Sequence, residues 1–132
     1  DPLWSRGLGD VYKRQELELI GGNRKVDTLE SISELAKTFP CSSTIVTLGE
    51  RGAVVVASNE AVHIPAPTIS PLDTTGAGDS FCAAIAVSLV EGKDLVEAAQ
   101  WAVQVGAATT LVAGAQPSLP TSEEVLQRLE DW

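Results

Sequence analysis

No apolar run in this 132-residue chain is long enough to cross a membrane, and its polar start lacks the hydrophobic stretch of a secretory leader. A membrane partner is therefore not expected. Histidine occurs once, at His63, and cysteine twice, at Cys41 and Cys82, too far apart for a zinc spacing. Two free thiols in a reducing cytoplasm are the expectation. The G-x-x-x-x-G-K pattern of a Walker A loop is absent, as is any internal repeat. Positive charge is scarce: 9 Lys and Arg stand against 18 Asp and Glu, a net charge of −9. Such a surface repels a phosphate backbone, so nucleic acid is not an expected partner. It remains compatible with a small anion held by backbone N–H groups beside a divalent cation.

What is present is a globular composition, 44% hydrophobic and 20% charged, sufficient for one domain with one core. The first fifteen residues, DPLWSRGLGDVYKRQ, show no hydrophobic period, and Asp10–Gln15 resembles a translated sequencing-adaptor end. Residues 1–15 are accordingly expected to be foreign, and 16–132 to be the C-terminal portion of a longer domain. Val26, Leu29, Ile32, Leu35, Ala36 and Phe39 recur at helical spacing, and Pro40 is expected to end that helix. Ser43–Leu48 reads as a buried strand stopped by Gly49. Ala53–Ala57 is a second strand, Ser58-Asn59 a turn, and Val62 with Ile64 a returning strand. Pro65, Pro67 and Pro71 predict an extended, helix-free approach to the glycine-rich stretch at 73–79. Phe81–Val90 is apolar nearly all round and predicts a buried helix. Asp94 with Glu97, and Thr121 with Glu124, are capping-box patterns that open two more helices, the first running to about Ala108. Thr109–Ser118 reads as a loop. Helices alternating with strands predict an α/β layer fold.

The chemistry concentrates in DTTGAGD, residues 73–79. Two glycines around Ala77, directly before a helix, admit positive φ and close approach of a ligand to the backbone. The first N–H groups of a helix lack internal partners and sit at the positive end of its dipole. Gly76, Ala77 and Gly78 can thus form an anion nest, with Asp79 placed to take a proton from a hydroxyl. The other reading is structural: a glycine turn with Asp79 as N-cap. A second glycine turn, Thr47-Leu48-Gly49-Glu50-Arg51-Gly52, lies at the end of a predicted strand, where α/β sheets bind ligands. Arg51 suits either a phosphate or solvent. His63 suits a surface or half-buried place in its strand, and Trp101 a core position on an Ala-rich helix.

DTTGAGDSF resembles the C-terminal signature of the ribokinase family, the PfkB carbohydrate kinases. TLGERG resembles that family's nucleotide turn, and GAQPSLP (114–120) resembles its ribokinase branch. The similarity spans about residues 16–132 and implies the C-terminal part of a Rossmann-type three-layer α/β/α fold. It implies an ATP-dependent kinase that phosphorylates a sugar hydroxyl, ribose to ribose 5-phosphate by the GAQPSLP likeness, with fructokinase or nucleoside kinase as neighbouring alternatives. A non-catalytic nucleotide-binding module is the alternative of another class. Asp79 would be the base at the sugar, and Gly76, Ala77 and Gly78 the anion hole. Residues 47–52 would line the nucleotide, with Val103 near the adenine. Asp73, Thr75, Thr109, Val112, Gly114 and Ser118 match a potassium loop. The family's Asn-x-x-Glu motif for magnesium falls on Gln15-Glu16-Leu17-Glu18: Glu18 fits, and Gln15 stands where Asn is expected. The sugar-binding lid, through which family members pair as homodimers, would lie upstream, and residues 16–132 alone are not expected to suffice for activity.

Overall fold

The computed structural model describes residues 10–22, 25–38, 43–57, 60–114 and 120–131. The chain is mixed α/β and divides into two compact units, Asp1–Ile64 and Pro65–Trp132.

The first unit is built on a four-stranded sheet in the order β1-β2-β3-β4, with β1 Asp10–Lys13, β2 Ser43–Thr47, β3 Ala53–Ala57 and β4 Glu60–Ile64. β1 runs parallel to β2, with Asp10 opposite Thr44, and the other pairs are antiparallel, Ile45 facing Val55 and Val55 facing Val62. The β-branched runs STIVT and AVVVA are buried on both sheet faces, which is why they read as continuous rather than alternating apolar segments. Helices α1 (Arg14–Ile20) and α2 (Leu29–Lys37) supply the rest of the core. Leu17, Ile32, Leu35 and Ala36 pack with Val26, Val46, Val54 and Val56. Each fully buried aliphatic side chain of this kind contributes about 1.5–3 kcal/mol. Gly21 ends α1 where a Cβ would lie 2.7 Å from Leu35, so the absence of a side chain lets the two helices meet.

Two expectations shift here. The helix predicted from Val26 begins at Leu29, because Thr28 caps it: Thr28 Oγ1 accepts from Ser31 N–H at 3.1 Å and Ser31 Oγ accepts from Thr28 N–H at 3.1 Å. Val26 is buried in the preceding connection instead. Residues 10–13, which carry no periodicity in the sequence, form the sheet-edge strand β1, and Arg14 and Gln15 open α1. Four residues on an edge are held by backbone hydrogen bonds and need no apolar alternation to pair. Phe39, Pro40, Ser58 and Asn59, assigned a helix end and a turn, lie outside the described residues.

The second unit opens with the extended approach that its prolines predict, and then carries α3 Ala77–Val90, α4 Leu95–Thr109 and α5 Ser122–Glu130. The Thr121–Glu124 box closes reciprocally, whereas at Asp94 only the N-cap bond forms, Asp94 Oδ1 accepting from Glu97 N–H at 2.8 Å. The Thr121 N–H, foremost, holds the Glu124 carboxyl below its usual range. α3 and α4 approach closely at Gly106, where a Cβ would sit 3.6 Å from Ala77 O. Arg128 Nη1 donates to Ala108 O at 3.1 Å and joins α5 to the end of α4.

α3 departs from its prediction. It is not buried all round: Ser80, Phe81, Ala84, Ile85 and Ser88 face inward, while Cys82, Val87 and Val90 are exposed. Alanine and serine on both sides flatten the contrast between faces, so sequence alone does not reveal which side is covered. The helix also starts at Ala77, three residues earlier than an Asp79 cap requires, and its N-cap is Gly76 with φ +82°. The Thr109–Ser118 loop likewise loses its first residue, which is the last of α4, and residues 115–119 lie outside the described residues.

Candidate active site

In the second unit the DTTGAGD stretch is tied to the turn after α4. Leu72 N–H and Asp73 N–H both donate to Thr110 O, at 2.8 and 3.1 Å. The Asp73 carboxylate completes the tie, Oδ1 accepting from Thr75 N–H at 2.9 Å and Oδ2 from Gly114 N–H at 2.9 Å. These donors, the Gly114 N–H foremost and then the Thr75 hydroxyl and N–H, hold the Asp73 pKa down to about 2. A carboxylate that stays ionised therefore sits at the junction of two turns.

Gly76 takes the left-handed conformation that only glycine adopts freely, and so turns the chain into α3. Ala77 N–H donates to Thr74 O at a long 3.3 Å, whereas Gly76, Gly78 and Asp79 N–H have no hydrogen-bond partner among the described residues. Open donors at the positive end of a helix form an anion-binding arrangement. Of the three predicted anion-hole donors, Ala77 is thus partly engaged, and Asp79 N–H adds one that the motif alone does not single out. Asp79 is exposed in the first turn of α3, and its carboxylate accepts no hydrogen bond among the described residues. Capping is not its role, because it lies inside the helix.

Beneath this turn lies a contact invisible in the sequence. Thr109 Oγ1 is 2.9 Å from both Ser80 Oγ and Val105 O, and Ser80 Oγ donates to Ala77 O at 3.0 Å. The Thr109 hydroxyl is fully buried and engaged there, so a cation could meet Thr109 only through its carbonyl. Thr75, Val112 and Gly114 are on the same pair of turns as Asp73, and Ser118 lies outside the described residues. Val103 is buried on α4, and Trp101 on the same helix is half-buried.

In the first unit, residues 47–52 close a tight turn around a short 3₁₀ segment, Gly49–Arg51. Leu48 N–H donates to Gly52 O at 2.8 Å, Arg51 N–H to Leu48 O at 3.2 Å, and Gly52 N–H to Gly49 O at 3.0 Å. Gly49 and Gly52 both need positive φ, +60° and +93°. Thr47 Oγ1 lies 3.4 Å from Tyr12 O, and Glu50 is exposed. The Arg51 guanidinium, a candidate phosphate ligand, donates instead to Asp27 O at 3.1 Å. His63 Nε2 lies 2.7 Å from Arg51 O. Glu18 is no freely solvated helix charge: Oε1 accepts from Val26 N–H at 3.0 Å, which leaves its other oxygen for a metal or solvent. Gln15 is exposed on α1.

A family model described as pfkB family carbohydrate kinase matches residues 12–122, and the chain belongs to that family. Ribokinase of Bacillus subtilis is 39% identical over 99 residues, 75% of this chain and 33% of that protein. The structure of Arabidopsis thaliana ribokinase complexed with ribose and ATP superposes with a TM-score of 0.81 at 32% identity, covering 92% of this chain and 41% of that one. A double-mutant fructokinase from Vibrio cholerae, in a fructose-, ADP- and potassium-bound form, gives a TM-score of 0.78 at 27% identity over 90% of this chain and 39% of its own. The chain thus spans between 33% and 41% of these relatives. Similarity of this extent supports the α/β fold and the carbohydrate-kinase family, and it is shared by ribose and fructose enzymes alike.

Proposed function

We propose that the parent protein transfers the γ-phosphoryl group of ATP to a sugar hydroxyl, with ribose as the acceptor, and that this chain carries its phosphate-handling end. The observation that carries the reading is the set of unpartnered N–H groups at 76, 78 and 79, among the described residues, beside an exposed carboxylate. The N–H groups would bind the transferring phosphoryl oxygens, and Asp79 would accept the proton from the attacking hydroxyl. Catalysis of this kind is largely positioning and charge stabilisation, which suits a preformed nest. Residues 47–52 would line the nucleotide, with Val103 near the base.

Two ions are implied. The ionised Asp73 carboxylate, with carbonyls of Thr75, Thr109, Val112 and Gly114, is a hard-oxygen set that suits potassium; Ser118 would add to it. When bound, potassium would supply charge that stiffens the two turns. Among the described residues no three His, Cys, Asp or Glu cluster as a metal cage. Magnesium commonly takes one or two carboxylates and completes its shell with phosphates and water. Glu18 is the carboxylate proposed for it. The first residues are proposed to be foreign to the parent, and Gln15 to replace an asparagine, although the family match already covers residues 12–15.

The test uses the full-length parent with ATP, magnesium and a panel of ribose, deoxyribose, fructose and nucleosides. Asp79→Asn should lower turnover by about 10²–10⁴ while the melting midpoint and nucleotide affinity hold. Near-normal turnover in that variant would remove Asp79 as the base, whereas a parent that binds ATP and phosphorylates none of these acceptors would be a nucleotide-binding module. Preference for fructose over ribose would move the assignment to the neighbouring sugar.

A further inference from the structure

The single histidine has a place in the first unit that no catalytic role explains. His63 reaches from β4 to the glycine turn, its Nε2 lying 2.7 Å from Arg51 O. A carbonyl only accepts, so Nε2 carries the hydrogen and donates it. Arg51 is in turn fixed at its other end, its guanidinium donating to Asp27 O at 3.1 Å. The neighbouring Val26 N–H is held by Glu18 Oε1 at 3.0 Å. Three hydrogen bonds therefore run from α1, through the segment before α2, across the turn and onto β4.

We propose that His63 is a positioning residue for the Gly49–Gly52 turn, holding Arg51 by its backbone so that the turn keeps one conformation and its link to the Glu18 segment. The inference rests on the reading of residues 47–52 as the nucleotide turn for its functional consequence, but not for the tie itself. A turn with two positive-φ glycines has many alternative conformations, because glycine restricts the backbone least. Its internal hydrogen bonds are short-range, joining residues at most four apart. A donor from a neighbouring strand selects one conformation, and a preordered turn binds its ligand at lower entropic cost.

Amide hydrogen exchange on the chain, with and without substitution, reads the tie directly. In His63→Leu, which cannot donate, exchange at Leu48, Arg51 and Gly52 should quicken by about 2- to 10-fold relative to the β2–β3 ladder amides, the worth of one ordinary hydrogen bond. His63→Gln, whose amide nitrogen can take the place of Nε2, should restore slow exchange. An unchanged ratio of turn to ladder exchange in His63→Leu would overturn the proposal, whatever happens to overall stability. So would equal behaviour of the Leu and Gln variants. In the parent, His63→Leu should raise KM for ATP by about 2- to 10-fold with kcat held within roughly twofold, and His63→Gln should reverse it. Faster turn exchange with an unchanged KM would uphold the tie and overturn the nucleotide reading of the turn.

Discussion

Asp73 joins segments 41 residues apart in sequence through one carboxylate. Its hydrogen bonds favour the ionised form, so its folded pKa of about 2 lies below the ordinary 3.8. The stabilisation is complete above the unfolded value and drains away as pH falls from there through about 2, where both states are protonated. The melting midpoint of the chain should therefore exceed that of Asp73→Asn at neutral pH, with the gap closing between about pH 4 and pH 2. A gap that persists in acid would mean that Asp73 acts through packing instead. Asp73, Gly76 and Asp79 are all legible in DTTGAGD, because glycine before a helix and carboxylates beside it carry direct chemical meaning. Ser80 and Thr109 are not, since a small hydroxyl residue in an apolar helix looks the same whether it meets water or a partner 29 residues away.

At the level of the helix, the structure separates two glycines that the sequence presents as equivalents. Gly76 is left-handed at φ +82°, whereas Gly78 occupies the second position of α3 and has no positive φ. Gly76→Ala should destabilise the chain by about 1–2 kcal/mol, the cost of a left-handed non-glycine residue, read as a lowered denaturation midpoint. Gly78→Ala should be neutral or stabilising by up to about 1 kcal/mol, because alanine favours the helix interior. Its methyl group would still stand beside the open N–H groups, so phosphate affinity and turnover in the parent should fall. A Gly78→Ala variant that loses stability would show that the start of α3 is more strained than its backbone indicates. Strands β2 to β4 are readable from their β-branched residues, and the starts of α4 and α5 from their caps, whereas those of α2 and α3 differ from the predicted positions. β1 and the exposed side of α3 are not, because edge pairing and partial covering depend on neighbours rather than on local pattern.

Among the described residues the first unit's sheet ends in β1 and β4, and several apolar side chains are exposed, among them Leu72 at 70% and Val90 at 89% accessibility. Open strand edges and apolar patches favour association. Light scattering at micromolar concentration should accordingly detect self-association, accompanied by binding of a hydrophobic dye. A monodisperse, dye-silent monomer would contradict this. In the parent, replacing a large organic cation with potassium should raise turnover, and equal rates in the two salts would remove the potassium reading of the Asp73 turns. The strand order also sets a sequence of events in time. β2, β3 and β4 succeed one another along the chain and pair with their immediate neighbours, while β1 finds its parallel partner only across both α1 and α2. Local antiparallel hairpins form within about 1–10 μs, and non-local pairing must first close its loop. The three-stranded meander is therefore expected to form before β1 docks, and amide exchange faster in β1 than in β2–β4 would show it.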